Sequence, residues 1–116
     1  MVIAQVISRF DEIRPTGINT NELSDVLTKS SISNSVETNL FPSQLNKALE
    51  NGQNVIVQVS AGSGRHFFIV DKVEYINGVK YYMTRDPYTG PRGVKASMLD
   101  SKINNDRGIN AIIIGK

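Results

Sequence analysis

The segment HFFIVDKVEYINGVKYYMTRD, residues 66–86, decides how this chain folds. It contains two runs rich in β-branched and aromatic residues, 66–73 and 79–86, separated by a turn that includes Asn77 and Gly78. Both residue types tolerate the positive φ angles that tight hairpin turns require, so the pattern predicts two antiparallel strands joined by a short loop. We therefore expect the second half of the chain to form an antiparallel sheet.

The register of this hairpin determines whether His66, the only histidine of the chain, meets Asp86. With a two-residue loop, His66 lies opposite Thr89 and Asp86 points to the other face of the sheet. With a three-residue loop, or with a β-bulge elsewhere in the hairpin, Asp86 lies one diagonal step from His66 on the same face. The sequence is compatible with both registers, and only the second brings the two side chains together.

The first half of the chain carries three helix patterns. Apolar residues at helical spacing predict a helix over 1–10, and a capping box that begins at Asn19 predicts the start of a second helix. A third helix is expected within 41–52, with Ser43 as its N-cap and Gly52 ending it in a left-handed turn. These helices precede the predicted sheet in the sequence.

The remaining segments complete the predicted order of elements. The polar segment 29–39 has no hydrophobic period and is expected to be a loop. Strands are expected over 54–60 and 110–116, and a helix of one or two turns capped by Ser97 over 97–103. The sequence thus predicts an α+β fold in which N-terminal helices pack on a C-terminal antiparallel β-sheet.

Composition limits the class of protein. A chain of 116 residues with 40% hydrophobic and 21% charged residues fits one globular domain spanning 1–116. No run approaches the roughly 18 apolar residues of a membrane helix, so we expect no membrane partner. The chain has no cysteine, which excludes disulfides, thiolate metal sites and a cysteine nucleophile within this sequence.

Basic residues are concentrated in the second half. Residues 65–95 carry six basic and three acidic side chains, a balance of +3 against a formal charge of +2 for the whole chain. A basic surface suits a polyanion such as RNA, although scattered lysines are also common on a solvated face. A tyrosine such as Tyr88 or Tyr82 can stack on a base, which contributes about 1 to 3 kcal/mol. The residues expected to contact nucleic acid are Arg65, Arg92, Lys95 and Tyr88.

A His66–Asp86 pair is able to support acid–base chemistry. An aspartate bonded to one ring nitrogen fixes the tautomer and stabilises the imidazolium, so the other nitrogen can act as a general base. Without a thiol, such a pair can promote cleavage of RNA by its own 2′-hydroxyl, with Arg85, Arg65 or Arg92 offsetting charge on the phosphate. No metal or cofactor is expected. The alternative is that His66 begins a strand and Asp86 only starts the Asp-Pro turn.

The order of features resembles the papain-like fold, especially its small bacterial peptidase branch. The resemblance rests on RHFFIVDKV, residues 65–73, and on the strand that ends in Asp86-Pro87. It implies that His66 is the general base and that Asp86 orients it. The cysteine nucleophile of that family has no counterpart in this sequence, and the family pattern would place it at Met1.

Residues 64–94 also resemble the C-terminal toxin segments of filamentous-haemagglutinin-like exoproteins that act in contact-dependent growth inhibition. Those segments are detachable modules, and a helix pattern that starts at the first residue is expected of such a module. Many of them are ribonucleases. The resemblance implies delivery from the bacterial cell surface, action in the cytoplasm of the target cell, and RNA, most specifically tRNA, as substrate. It also implies a cognate immunity protein and, for some toxins of this kind, elongation factor Tu as a borrowed partner.

Three functions remain open at this point. The first is a metal-independent toxin ribonuclease, in particular a tRNase, that uses His66. The second is a papain-like cysteine peptidase or deamidase whose nucleophile lies at or before Met1. The third is a non-enzymatic module that binds a partner through YTGPRGV, residues 88–94, and the two-residue hairpin register would favour it. The glycine-rich SAGSGR, residues 60–65, lacks the Lys-Ser/Thr ending of a phosphate-binding P-loop.

Overall fold

A computed structural model describes residues 20–61, 64–87 and 89–115, which form three helices and a six-stranded antiparallel sheet. Its elements in chain order are α1 (Thr20–Lys29), β1 (Asn34–Leu40), α2 (Pro42–Glu50), β2 (Asn54–Ala61), β3 (Gly64–Ile76), β4 (Val79–Asp86), β5 (Gly90–Lys95), α3 (Ala96–Asn105) and β6 (Ile109–Ile114). The predicted α+β class is confirmed. The predicted helix over 1–10 lies outside the described residues.

The order of strands in the sheet differs from their order in the chain. The strands lie side by side as β1-β6-β2-β3-β4-β5, and each neighbouring pair is antiparallel. The last strand of the chain is therefore inserted between the first two. It is buried on both faces, with Ala111 and Ile112 fully inaccessible to solvent, as the apolar sequence of this strand predicts.

The sheet separates two hydrophobic clusters. On one face, here called the two-helix face, α2 and α3 pack through residues such as Leu45 and Ile103. On the opposite face, here called the one-helix face, α1 packs through Leu23 and Leu27. Burial of each of these side chains contributes about 1.5 to 3 kcal/mol. The two faces matter for function because alternate residues of each strand point to one or the other.

The sequence did not predict two of the strands, β1 and β5, and both lie at edges of the described sheet. The segment expected to be a loop contains β1, which pairs only with β6 and needs few apolar residues because much of it faces solvent. At the other edge, β5 has the sequence GPRGVK, and glycine and proline weaken any strand pattern. Pairing with an apolar neighbour overrides the weak local preference in both cases.

The helix ends agree only in part with the predicted caps. Gly52 follows α2 with a φ of 76°, as expected for a glycine that ends a helix. The prediction of Ser43 as N-cap was wrong, because Phe41 occupies that position and Pro42 starts the helix. The Gln44 side chain accepts the backbone N–H of Phe41 at 2.8 Å. Proline at the first helical position has the φ that a helix needs, which moves the start of α2 two residues upstream.

Candidate active site: a histidine–aspartate pair

The β3–β4 hairpin combines both of the registers that the sequence allows. Asn77 and Gly78 form a two-residue loop with φ angles of 51° and 80°, and Ile76 lies opposite Val79. Farther from the loop, the register shifts by one residue at Asp71.

The shift is a β-bulge on β3. Lys72 lies opposite Met83 and Val70 lies opposite Thr84, so Asp71 is an extra residue with no residue of β4 opposite it in the register. Because of this residue, the last part of β4 follows the register that a three-residue loop would give. The bulge elsewhere in the hairpin, one of the alternatives drawn from the sequence, is the arrangement that the structure contains.

His66 and Asp86 meet on the two-helix face of the sheet. His66 Nε2 lies 2.5 Å from Asp86 Oδ2, and the side chains are 30% and 14% exposed. The carboxylate can only accept, so Nε2 carries the proton and donates it to Asp86. The Phe68 ring, two residues along β3, has its centroid 6.1 Å from that of His66. The histidine is thus held in one tautomer with part of its ring accessible to solvent.

Asp86 serves the turn and the histidine at the same time. One carboxylate oxygen accepts from His66, and the other accepts the backbone N–H of Thr89 at 3.2 Å. The chain then re-enters the sheet at Gly90, whose φ of 80° suits glycine. The two alternatives for Asp86, a turn residue or a partner of His66, are therefore both satisfied, one by each oxygen.

Arg85 is directed away from this pair, contrary to the expectation that it assists catalysis. Neighbouring residues of a strand point to opposite faces, so Arg85 lies on the one-helix face, opposite Ile69. Its guanidinium donates from Nε and Nη2 to the Asp71 carboxylate at 2.7 and 2.9 Å. Asn54 Nδ2 donates to the same carboxylate at 2.8 Å.

The residues expected to contact nucleic acid are distributed over both faces. Of the three that the structure describes, Arg92 alone shares the two-helix face with the pair, because it lies opposite Thr84, two residues before Asp86. Arg65 and Lys95 are also exposed but lie on the one-helix face. Tyr88 lies outside the described residues.

A shallow pocket lies beside Arg65. It has a volume of about 280 Å³, and its polar lining includes Gln58, Ser60, Arg65, Asp106 and Asn110. Ser60 Oγ donates to the Asp106 carboxylate at 3.2 Å. The pocket lies where β2 ends and β3 begins. Its lining includes Val59, the residue paired with His66. Arg65 thus lines a pocket at the end of the sheet.

Tyr82 is unable to stack on a base, because its side chain is fully buried. Its hydroxyl donates to Asp100 Oδ1 at 2.6 Å and accepts from Asn46 Nδ2 at 2.8 Å. Lys80 lies 5.4 Å from the ring centroid and donates to Asn46 Oδ1 at 2.6 Å. Burial, reinforced by the bond to Asp100, raises the pKa of Tyr82. These contacts connect β4 to α2 and α3, and they are structural.

Two further properties concern the described part of the chain. Among residues 20–61, 64–87 and 89–115, no group of three or more His, Cys, Asp or Glu side chains could hold a metal ion. The helices within those ranges are too short or too polar to cross a membrane.

The sequence matches no protein-family model, and no curated protein matches it. The resemblances to papain-like proteins and to contact-dependent toxins therefore stay predictions. Any functional conclusion depends on the chemistry of the site itself.

Proposed function

We propose that this chain is an antibacterial toxin domain of contact-dependent growth inhibition that cleaves RNA without a metal ion, with tRNA as its substrate. The observation that carries the proposal is the 2.5 Å contact between His66 Nε2 and Asp86 Oδ2 on a partly exposed surface. The pair holds a histidine in the tautomer that a general base needs. The likeness of residues 64–94 to toxin segments supports the biological setting.

The substrate supplies the nucleophile in the proposed reaction. Because Nε2 donates to Asp86, Nδ1 of His66 takes the proton of a ribose 2′-hydroxyl. The 2′-oxygen then forms a bond to the adjacent phosphorus, and the bond from phosphorus to the 5′-oxygen breaks. The 5′-oxygen leaves as a hydroxyl with a proton from solvent, and the products carry a 2′,3′-cyclic phosphate and a 5′-hydroxyl. Asp86 stabilises the imidazolium that forms in the first step.

This reaction fits a chain without cysteine. A peptidase or deamidase of the papain-like type needs a thiolate, and none of the 116 residues can provide one. RNA brings its own hydroxyl to the scissile bond, so the protein needs only a base, an orienting acid and positive charge near the phosphate.

Of the three arginines expected to offset charge on the phosphate, Arg92 is the one that lies on the same face as the pair. Its position on the two-helix face places an exposed guanidinium on the same side of the sheet as the pair. A guanidinium there can neutralise the charge that accumulates on the phosphate in the transition state. Thr84 Oγ1 donates to the Arg92 carbonyl at 2.9 Å, which fixes the backbone of this part of β5. Thr84 is buried, so its hydroxyl is a poor candidate for an acid that gives a proton to the leaving 5′-oxygen.

The partners of the proposed toxin follow from the same surface. An immunity protein with an acidic face would cover the pair and Arg92, and opposite charges would speed the association. Elongation factor Tu belongs to the proposal only through the likeness to toxins of this kind.

The proposal is tested with purified protein, tRNA and EDTA. We expect the wild-type chain to cleave tRNA and to leave 2′,3′-cyclic phosphate ends, while His66→Ala loses the activity and Asp86→Asn retains a small part of it. Lys72→Ala is the matched control, because Lys72 lies on the same hairpin and pairs only with exposed Glu74. Intact tRNA in the wild-type reaction would contradict the proposal. Growth arrest of bacteria that express the chain, with their RNA intact, would also contradict the ribonuclease proposal.

A further inference from the structure

Asp71 lies at the centre of a cluster that spans three strands. Its carboxylate accepts two hydrogen bonds from Arg85 on β4 and one from Asn54 on β2. We call these three residues the bulge cluster. The Arg85 and Asp71 side chains are 34% and 26% exposed, so the ion pair is partly accessible to solvent. A bidentate hydrogen bond between a guanidinium and a carboxylate fixes the orientation of the two groups as well as the distance between them.

The bulge determines on which face Asp86 lies relative to His66. If the register at the hairpin loop continued without the bulge, Asp86 would lie opposite Ile69 instead of Arg85. Ile69 belongs to the cluster on the one-helix face, so the Asp86 carboxylate would point away from His66. The extra residue restores the match and places both side chains on the two-helix face.

A bulge interrupts the ladder of hydrogen bonds, so it needs support from other contacts. Part of that support is hydrophobic, since the bulge lets both Val70 and Val73 face the cluster under α2 and α3. The bulge cluster adds polar contacts at the residue that is displaced from the ladder. These contacts are made by side chains of both neighbouring strands, and they would be lost in the regular register.

We propose that Arg85 is a positioning residue, which holds the bulge at Asp71 and thereby keeps Asp86 bonded to His66. Arg85 does this from the opposite face of the sheet, without touching the pair. The inference concerns the geometry of the pair and holds whatever reaction the pair performs. It is therefore tested by spectroscopy of the ring and not by cleavage of RNA.

The chain contains a single histidine, so its ring nitrogens are assigned without ambiguity in nuclear magnetic resonance spectra. In the wild-type protein we expect long-range proton–nitrogen spectra to show one tautomer with the proton on Nε2. Arg85→Ala should increase the population without the Asp86 bond by about five-fold, the upper range for a partly exposed ion pair. Arg85→Lys should restore part of the wild-type signal. Glu74→Gln, which removes the ion pair between Lys72 and Glu74 on β3, should leave the ring spectrum unchanged.

Deletion of Asp71 provides the decisive second variant. Val70 then stays opposite Thr84 while Lys72 stays opposite Met83, and the two strands pair regularly with no extra residue. The pair should survive in this variant, and adding Arg85→Ala to it should have no effect on the ring. The inference is overturned if Arg85→Ala leaves the wild-type ring spectrum unchanged, or if it perturbs the ring equally after Asp71 is deleted. Loss of RNA cleavage alone would bear on the proposed function and not on this inference.

Discussion

Two polar rings on the two-helix face each bond to a carboxylate. His66 contacts Asp86 at 2.5 Å, and the Tyr82 hydroxyl contacts Asp100 at 2.6 Å. Tyr82 and Asp86 belong to the same strand and lie four residues apart, which is about 13 Å. The two pairs have similar bond lengths but very different access to solvent, since Tyr82 is fully buried and the His66 side chain is 30% exposed.

This difference in exposure to solvent predicts different roles for the two pairs. Around Tyr82, α2 and α3 exclude water, so the hydroxyl keeps its proton and the bond contributes to stability. Around His66, Asp86 contacts Nε2 of the ring while part of the ring surface reaches solvent. A group of this kind can exchange protons with a substrate. The two pairs should therefore respond in opposite ways to substitution.

The largest effect is expected from His66→Ala. Loss of a general base lowers the rate about 10² to 10⁴-fold, whereas loss of a partly exposed ion pair lowers the free energy of unfolding by at most about 1 kcal/mol. RNA cleavage and denaturant unfolding of the same sample check both values. A large loss of stability would show that His66 is structural, like Tyr82.

Tyr82→Phe is expected to have the opposite effect. The substitution removes the hydroxyl group that bonds to Asp100 and to Asn46 Nδ2. Asn46 Nδ2 then keeps its bond to the Pro42 carbonyl. The free energy of unfolding should fall by about 1 to 3 kcal/mol while RNA cleavage stays at the wild-type rate. Equilibrium urea unfolding measures the change. A variant that is fully stable but inactive would reverse the roles assigned to the two rings.

The pH dependence of stability should also distinguish the buried ring. The pKa of Tyr82 is raised above its ordinary value of 10.0, so the unfolded chain loses this proton at lower pH than the folded protein does. The stabilising contribution is therefore complete below pH 10 and falls as pH rises above it. Wild-type protein should lose more stability than Tyr82→Phe between about pH 9 and 11. Parallel curves for the two proteins would contradict the assignment.

The smallest effect is expected from Arg92→Ala. Loss of one phosphate contact should weaken RNA binding several-fold and lower the slope of log affinity against log salt by about one. Lys95→Ala is the matched comparison, because Lys95 lies on the same strand but on the one-helix face. An equal loss in both variants would mean that the two faces contribute alike to binding.

The sequence was sufficient to predict the class of fold and the central hairpin. Asn77 and Gly78 require positive φ, and the β-branched runs beside them have few alternatives to a strand. These signals are local, so they can be detected without the rest of the chain. The two edge strands carry no such signal, because their pairing depends on apolar neighbours that are distant in sequence.

The face on which Asp86 lies depends on contacts that the sequence does not reveal. The bulge on β3 is supported in part by Asn54 and Arg85, which meet Asp71 only after the sheet has formed. The sequence does hold one signal. Val70 and Val73 are separated by an odd number of positions, so a regular strand could not place both on one face. The expectation that Arg85 assists catalysis does not agree with its position for the same reason, since the register determines the face on which a residue of β4 lies.

The strand that lies second in the sheet, β6, is the last of the described strands in the sequence. Its neighbours, β1 and β2, do not pair with each other, so β6 joins them in the described sheet. During synthesis on a ribosome, β1 gains its partner only after the four intervening strands have been made. Assembly should therefore be late and cooperative, with slow closure of long loops instead of stepwise growth from the N-terminus.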